Sequence, residues 1–453
     1  MDRLTALRSQ IAERRFWTED DAIADNLEHH GLGAEARSAI SSDAAALIAK
    51  LRSAKSPGLM ETFLAEYNLS TKEGVALMCL AEAYLRTPDA RSLDALIRDK
   101  IGPGNWDSHR AQARSPLVNA STWALMLTGR LFREVADEDD DVIDTMRRAV
   151  QRLGEPVART AVEQAMKVMG RQFVLGRNIG EALENGSERM AEGYSYSFDM
   201  LGEAARTDRD ARRYFLAYSK AIGAIAEKAG QPFVHDNPGI SIKLSALHPR
   251  YETLQRERVM RELTPRLLAL AVQARAANIG LNVDAEEADR LELSLEVYET
   301  VLRNPDLAGW DGFGLVVQAY SKQAPAVLAW VEALARDLGR QVPVRLVKGA
   351  YWDAEIKNAQ VLGLASYPVY SRKVSTDLSY LRCAHQLLKA EGAIYPQFAT
   401  HNAHTVAAIL AMAAESGQHD NRSFEFQRLH GMGESLHAIV KKRNGHRCRI
   451  YAP

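Results

Sequence analysis

Apolar positions change their spacing partway along the chain. Up to about residue 185 they recur at three- and four-residue intervals, as amphipathic helices require. In "TKEGVALMCLAEAYLR" (71–86), Val75, Leu77, Met78, Leu80 and Leu85 recur at helical spacing behind the capping-box signal Ser70-x-x-Glu73. "IGPGNW" (101–106) reads as a turn, and the acidic run "DEDDD" (137–141) as a solvated loop or helix start. From about 190 short apolar runs take over: "YSYSFDML" (194–201), "GISIKLSAL" (239–247), "GLNVDAEE" (280–287), "GFGLVVQAY" (312–320), "VPVRLVKGAY" (342–351), "YPQFATHN" (395–402), "FEFQRLHG" (424–431) and "CRIYAP" (448–453). Helical patterns such as "ERVMRELTPRLLALAVQARAAN" lie between them.

Strands alternating with helices imply parallel pairing through crossovers. Eight such runs within roughly 260 residues match an α/β (βα)8 TIM-like barrel. The expected organisation is therefore a helical N-terminal arm and α-domain over 1–185, then the barrel over 186–453. A doubly wound open sheet is the alternative, but it usually has fewer strands. No GxGxxG follows a strand and no GxxxxGK[ST] occurs, so both common phosphate cradles are missing.

Functional groups of such a barrel gather where its strands end. Those positions hold Lys243, Asp284 with Glu286 and Glu287, Gln318, Arg345, Lys348, Thr400–His401–Asn402, Gln427 and Tyr451. Burying one such group without a partner costs several kcal/mol, so packing alone does not explain the ring. Lys243 and Asp284 could instead form a purely structural ion pair. Along "VRLVKGAYW" (344–352), alternation puts Val344, Leu346 and Lys348 on one face and Arg345, Val347 and Gly349 on the other. Arg345 offers a planar fork, Lys348 a point charge, and Gly349 with Ala350 close backbone approach. Tyr351 and Trp352 are either core aromatics or cover for a heterocycle. With Ser371, Arg372, Lys373 and Thr376 downstream, these residues look like a cradle for a large anionic cofactor.

Composition narrows the classes further. The chain has 453 residues with 46% apolar and 25% charged, a globular composition with a sizeable core. A net charge of −1 provides no general attraction for nucleic acid or anionic lipid, so no nucleic-acid partner is expected. Cys79, Cys383 and Cys448 form no CxxC, which points to a reducing, cytoplasmic setting. His401 and His404 stand i,i+3 without a third ligand, and no metal is expected. Hydrolytic triads have no local signature; a flavin-free aldolase using Lys243 as a Schiff base stays open.

Beyond this, "ISIKLSALHPRYE", "DAEEADRLE", "VRLVKGAYWDAEIK", "YPVYSRKVSTDLSY", "PQFATHNAHT" and "FEFQRLHGMGE" closely resemble the proline dehydrogenase domain of the proline utilization A family, from about residue 60 to the last residue. The resemblance implies a distorted barrel binding FAD non-covalently, oxidation of L-proline to Δ1-pyrroline-5-carboxylate by hydride transfer from C5 to the flavin N5, and electron delivery to a membrane quinone through peripheral contact with the inner membrane. It implies that Gln318, Arg345, Val347, Lys348, Gly349, Ala350, Trp352, Ser371, Lys373, Thr376, Thr400, His401, Asn402, Gln427 and Leu429 touch the FAD. It sets Lys243, Asp284, Leu346, Tyr351 and Tyr451 around the substrate, with Arg345 countering charge on the reduced flavin. No general base is assignable.

Three departures accompany the resemblance. The family continues past "CRIYAP" into a helix with an Arg pair that clamps the proline carboxylate, whereas this chain stops at Pro453. Without those donors, binding is expected to lose on the order of several kcal/mol, leaving an impaired flavin-binding module as the alternative reading. The aldehyde dehydrogenase domain expected in the full-length protein is not in this sequence, and no ribbon-helix-helix segment is seen.

Overall fold

The computed structural model of the chain describes residues 3–30, 32–53, 92, 173–417 and 422–453. Cys79, the helix expected over 71–86 with its cap, the turn at 101–106 and the acidic run at 137–141 lie outside these residues. The chain divides into two compact units. One comprises Met1–Ser53, Gly176–Leu429 and Ser435–Pro453, the other Ala54–Leu175 and His430–Glu434. The first 53 residues therefore belong with the barrel, whereas the expected division grouped them with everything up to 185.

In the first unit, eight strands close a barrel in chain order with every neighbour parallel. They are β1 (Ser195–Asp199), β2 (Gly239–Ile242), β3 (Gly280–Val283), β4 (Phe313–Gln318), β5 (Val342–Val347), β6 (Ile394–Ala399), β7 (Glu425–Leu429) and β8 (Arg447–Ala452). Each lies where an apolar run was expected. Before the barrel come α1 (Arg3–Arg14), α2 (Glu19–His29) and α3 (Ala34–Ser53). The longer helices between strands are α4 (Asp208–Ala226), α5 (Arg256–Ala276), α6 (Leu291–Leu302), α7 (Ala324–Asp337), α8 (Trp352–Val361), α9 (Lys373–Lys389), α10 (Ala403–Glu415) and α11 (Glu434–Asn444). Local chemistry starts several of them: Thr207 and Asp210 form a reciprocal capping box on α4, and Asn402 caps α10 by accepting from the Thr405 N–H at 3.0 Å.

Strand alternation splits the barrel into two layers of opposite character. Phe198, Ile240, Leu281, Leu315, Leu346, Phe398, Phe426 and Ile450 are buried on the helix-facing side. The inward positions carry Ser197, Ser241, Asn282, Arg345, Gln397, Glu425, Gln427 and Arg449, equally buried. They bond to one another, across the barrel where Asn282 Nδ2 donates to Gln397 Oε1 at 2.8 Å and between neighbouring strands where Arg449 Nε donates to Glu425 Oε1 at 2.7 Å. A polar interior of this kind is tolerable because its donors meet acceptors.

The N-terminal helices are fastened to the barrel's outer helices. Gln323 Nε2 donates to the Ile11 carbonyl at 2.9 Å and Asn26 Nδ2 to the Tyr370 hydroxyl at 2.6 Å. Asp25 pairs with both Arg14 and Arg382. Among the described residues no helix is long and apolar enough to cross a membrane.

Candidate active site at the carboxyl end of the barrel

Arg345 sits inside β5, 3% exposed, and reaches four other strands. Its Nε donates to Gln427 Oε1 at 2.7 Å, Nη1 to Ser241 Oγ and Asp284 Oδ1 at 3.0 Å each, and Nη2 to Ser197 Oγ at 3.0 Å. Its guanidinium carbon lies 4.9 Å from the centre of the Tyr451 ring. The planar fork makes four directed bonds, which a lysine could not reproduce. Its charge is balanced by Asp284.

That carboxylate is the hub of a second cluster. Asp284 follows β3, 9% exposed, and its Oδ2 accepts from the Tyr451 hydroxyl at 3.0 Å and from Lys243 Nζ at 3.4 Å. Lys243, just past β2, lies closer to Asp199 at the end of β1, at 2.9 and 3.1 Å. Burial works against the ammonium, but Asp284 and Asp199 outweigh it and hold Lys243 well above the ordinary lysine range. An amine engaged by two carboxylates is poorly placed to attack a carbonyl, so this geometry disfavours the Schiff-base alternative. Lys243 and Asp284 do form an ion pair, as the structural alternative required, but they share it with Asp199, Arg345 and Tyr451. Burial, followed by Asp284 and Asp199, raises the Tyr451 phenol well above its usual value. Tyr351 lies at the rim, its hydroxyl 3.5 Å from Glu203 Oε2.

Around this buried centre runs an exposed rim. Trp352 is 42% and Leu429 40% exposed, presenting apolar surface at the ends of the β5 and β7 segments. Trp352 Nε1 donates to the Tyr370 carbonyl at 2.9 Å, which fixes the indole plane. Lys348 and Lys373 share Asp377, which they hold below the usual carboxylate range despite its partial burial. Gln318 bridges neighbouring loops, accepting from Ala350 N–H at 3.0 Å and donating to the Glu286 carbonyl at 2.9 Å. Val347, at the end of β5, accepts from Ala319 N–H at 2.8 Å. Gly349 has φ +148°, and a Cβ there would overlap the Tyr320 ring; no residue with a side chain fits. His401 Nε2 accepts from Leu429 N–H at 2.9 Å, and Thr400 Oγ1 from Asn402 N–H at 3.1 Å. Cations, small residues, an anchored indole and exposed apolar surface form a donor set that fits an extended anionic ligand with an aromatic ring, as FAD is.

Four expected residues sit differently. Leu346 is fully buried on the helix-facing side of β5, opposite Arg345, because strand alternation turns it away from the barrel's interior. Gln427 is 1% exposed with both amide atoms engaged inside the barrel, so it reaches the mouth only through Arg345. Thr376 is buried within α9. Ser371 is exposed, but its N–H and hydroxyl are taken by Glu19 of α2. Sequence reasoning missed Asp199, Glu203, Ser197, Ser241, Asn282, Gln397, Glu425 and Arg449. A signal for most was present: polar residues two apart within apolar strands, as in Ser197/Asp199, Asn282/Asp284 and Glu425/Gln427.

Residues 182–453 match the family model described as proline dehydrogenase, and residues 59–173 one described as the DNA-binding domain of proline dehydrogenase. The second match runs against the expectation of no nucleic-acid partner. A bifunctional protein PutA of Salmonella typhimurium is 49% identical over 447 residues, covering 96% of this chain and 33% of that protein. Proline dehydrogenase 1 of Bacillus subtilis is 27% identical over 285 residues, 62% of this chain and 81% of that one. A crystal structure of Bradyrhizobium japonicum proline utilization A superposes with a TM-score of 0.71 at 49% identity, covering 96% of this chain and 43% of that one. The chain thus spans about a third of the length of the PutA relative. With a matching family model over its whole barrel, the chain belongs to the proline dehydrogenase family.

Proposed function

We propose that the barrel oxidises L-proline to Δ1-pyrroline-5-carboxylate, with FAD as the hydride acceptor and a quinone, met at a membrane surface, as the final electron acceptor. The observation that carries this reading is the charge-balanced cluster of Arg345, Asp284, Lys243, Asp199 and Tyr451 beneath an exposed rim able to hold a flavin nucleotide.

Lys348, Lys373 and the Gly349–Ala350 backbone would hold the anionic part of FAD, with Trp352, His401, Asn402 and Leu429 against its rings. Bound there, FAD supplies the acceptor for the hydride leaving proline C5. Lys243, held between Asp199 and Asp284, would offer its ammonium charge to the proline carboxylate. Asp284 holds Arg345, Lys243 and Tyr451 in one arrangement, so that none needs to reorient during the reaction. Tyr351 and Tyr451 shape the pyrrolidine pocket. The Arg345 charge would counter negative charge arriving with the hydride. Oxidation removes a hydride from C5 and a proton from the ring nitrogen, leaving the C5=N double bond. The neutral amine is the reactive form, so turnover should rise with pH as the substrate amine deprotonates.

In the full-length protein an aldehyde dehydrogenase domain would take the product onward, in keeping with the bifunctional name of the PutA relatives. The test is optical. The chain loaded with FAD should bleach in the flavin band when L-proline is added and recover when a quinone analogue follows. Loaded protein that stays yellow under excess L-proline, or a chain that takes up no flavin, would refute the reading.

A further inference from the structure

We propose that Glu425, on the floor of the barrel, is a positioning residue for Arg345, acting through the side-chain amide of Gln427. The inference rests on the reading of Arg345 as part of the reaction site. Glu425 opens β7 and is 1% exposed. Its Oε1 accepts from Gln427 Nε2 at 2.7 Å, Gln397 Nε2 at 3.0 Å and Arg449 Nε at 2.7 Å. Its Oε2 accepts from Arg449 Nη2 at 3.2 Å and the Tyr395 hydroxyl at 3.4 Å.

A glutamine amide is nearly symmetric in shape, and nothing steric decides which end faces which neighbour. A carboxylate decides it, because an ionised carboxylate only accepts. Facing Glu425, Gln427 must present its NH2, and its carbonyl oxygen must then point at Arg345 Nε, 2.7 Å away. Were the amide reversed, two donors would meet at Arg345 and two acceptors at Glu425. Once Nε is fixed, the planar guanidinium has one orientation, the one in which Nη1 meets Ser241 and Asp284 and Nη2 meets Ser197. Glu425 therefore sets the direction of a cation on another strand that it does not touch. An ion pair with Arg449 alone would not require this. Arg449 also donates to Ser195 Oγ and to the carbonyls of Tyr196, His235 and Asn237, whereas two of the three donors on Glu425 Oε1 are the amides of Gln397 and Gln427.

The experiment compares the wild-type chain with Glu425→Gln, Gln427→Met and Gln397→Met. The first releases the amide, the second cuts the relay while sparing the Glu425–Arg449 pair, and the third removes a bond from the same carboxylate without touching the relay. The primary readout is the Arg345 Nε–H signal in 1H–15N spectra, identified by its loss in Arg345→Lys, together with its exchange rate with solvent. It needs no flavin and no turnover. Glu425→Gln and Gln427→Met should shift or split that signal and speed its exchange at least tenfold, with Gln397→Met like wild type. With flavin loaded, kcat for proline should fall about tenfold in the first two variants and KM should change less than twofold. An unaltered Arg345 signal in Glu425→Gln, or equal changes in all three variants, would overturn the proposal even if the chain oxidises proline. A changed signal in a chain that never oxidises proline would uphold the positioning and refute only the reaction assigned to the site. If Glu425→Gln does not fold, Glu425→Asp, which keeps the charge but draws the carboxylate back from the Gln427 amide, takes its place and should alter the Arg345 signal in the same sense; a signal like wild type there would overturn the proposal.

Discussion

Replacing Asp284 by Asn changes almost no volume and tests the cluster most directly. All three of its partners donate: Arg345 Nη1 to Oδ1, Lys243 Nζ and the Tyr451 hydroxyl to Oδ2. An amide in either orientation turns its NH2 toward a donor, Arg345 in one case, Lys243 and Tyr451 in the other. Tyr451 can rotate to accept; neither cation can. The substitution also leaves Lys243 and Arg345 facing Asp199 alone, so a set with two positive and two negative charges acquires a buried excess of one. Removing one member of a buried ion pair typically costs about 3–5 kcal/mol. Asp284→Asn should therefore lose about that much in urea unfolding followed by tryptophan fluorescence. Lys243→Met added to it removes the unmatched charge and should recover part of the loss. Activity should drop further than stability explains, because Arg345 and Lys243 lose their shared reference. A folded Asp284→Asn protein less than about 1 kcal/mol weaker than wild type would refute the argument, since it would mean that the carboxylate is hydrated rather than buried among donors.

Gly349→Ala should cost about 2 kcal/mol or more, since both its φ of +148° and the Tyr320 ring exclude a Cβ; thermal melts with and without flavin would show it, and a neutral result would refute it. Burial lowers the His437 imidazole to about 4, so it folds neutral and favours unfolding as pH falls below about 6.5, the effect levelling off near 4. At pH 5 the loss relative to pH 8 should be on the order of 2 kcal/mol. His437→Gln, which can still donate to the Thr400 carbonyl, should remove that part of the acid loss in urea titrations at the two pH values. Asp25→Ala strands Arg14 and Arg382 together and should weaken the docking of α1 and α2 by about 2 kcal/mol, seen as faster proteolysis of the N-terminal 30 residues with the barrel core intact.

The barrel was legible because each strand carries an apolar run and each run is separated by a helical pattern; six strands fall within the expected runs, and β6 and β8 start one residue before theirs. Lys243, Asp284, Arg345 and Tyr451 were legible for a different reason, being polar groups at strand ends where packing gives them no use. Asp199 escaped because it ends a run, "YSYSFD", whose tyrosines and serines read as ordinary strand residues. Leu346 was set around the substrate by the resemblance, while alternation along the strand already put it on the face opposite Arg345, where the structure has it. Gln427 was read as a ligand contact because sequence gives its layer but not its depth. That it spends both amide atoms below the mouth depends on Glu425 and Arg345, 82 residues apart from it in the second case. The docking of α1 to α3 on the barrel was illegible, since it rests on contacts such as Asn26 to Tyr370 that span more than 340 residues.

The two-layered wall of the barrel also bears on how the chain finds its register. In a barrel filled with branched aliphatics, a strand displaced by one residue exchanges one apolar side chain for another. Here the same slip in β5 would push Arg345 into the aliphatic layer and drop Leu346 among serines and carboxylates, and similar penalties attach to β3, β6, β7 and β8. Misaligned closures are thus separated from the correct one by several unsatisfied charges and amides at once. The chain should gain fidelity of closure from the same buried groups that make its interior costly to assemble, and refolding should be slow but leave few trapped species.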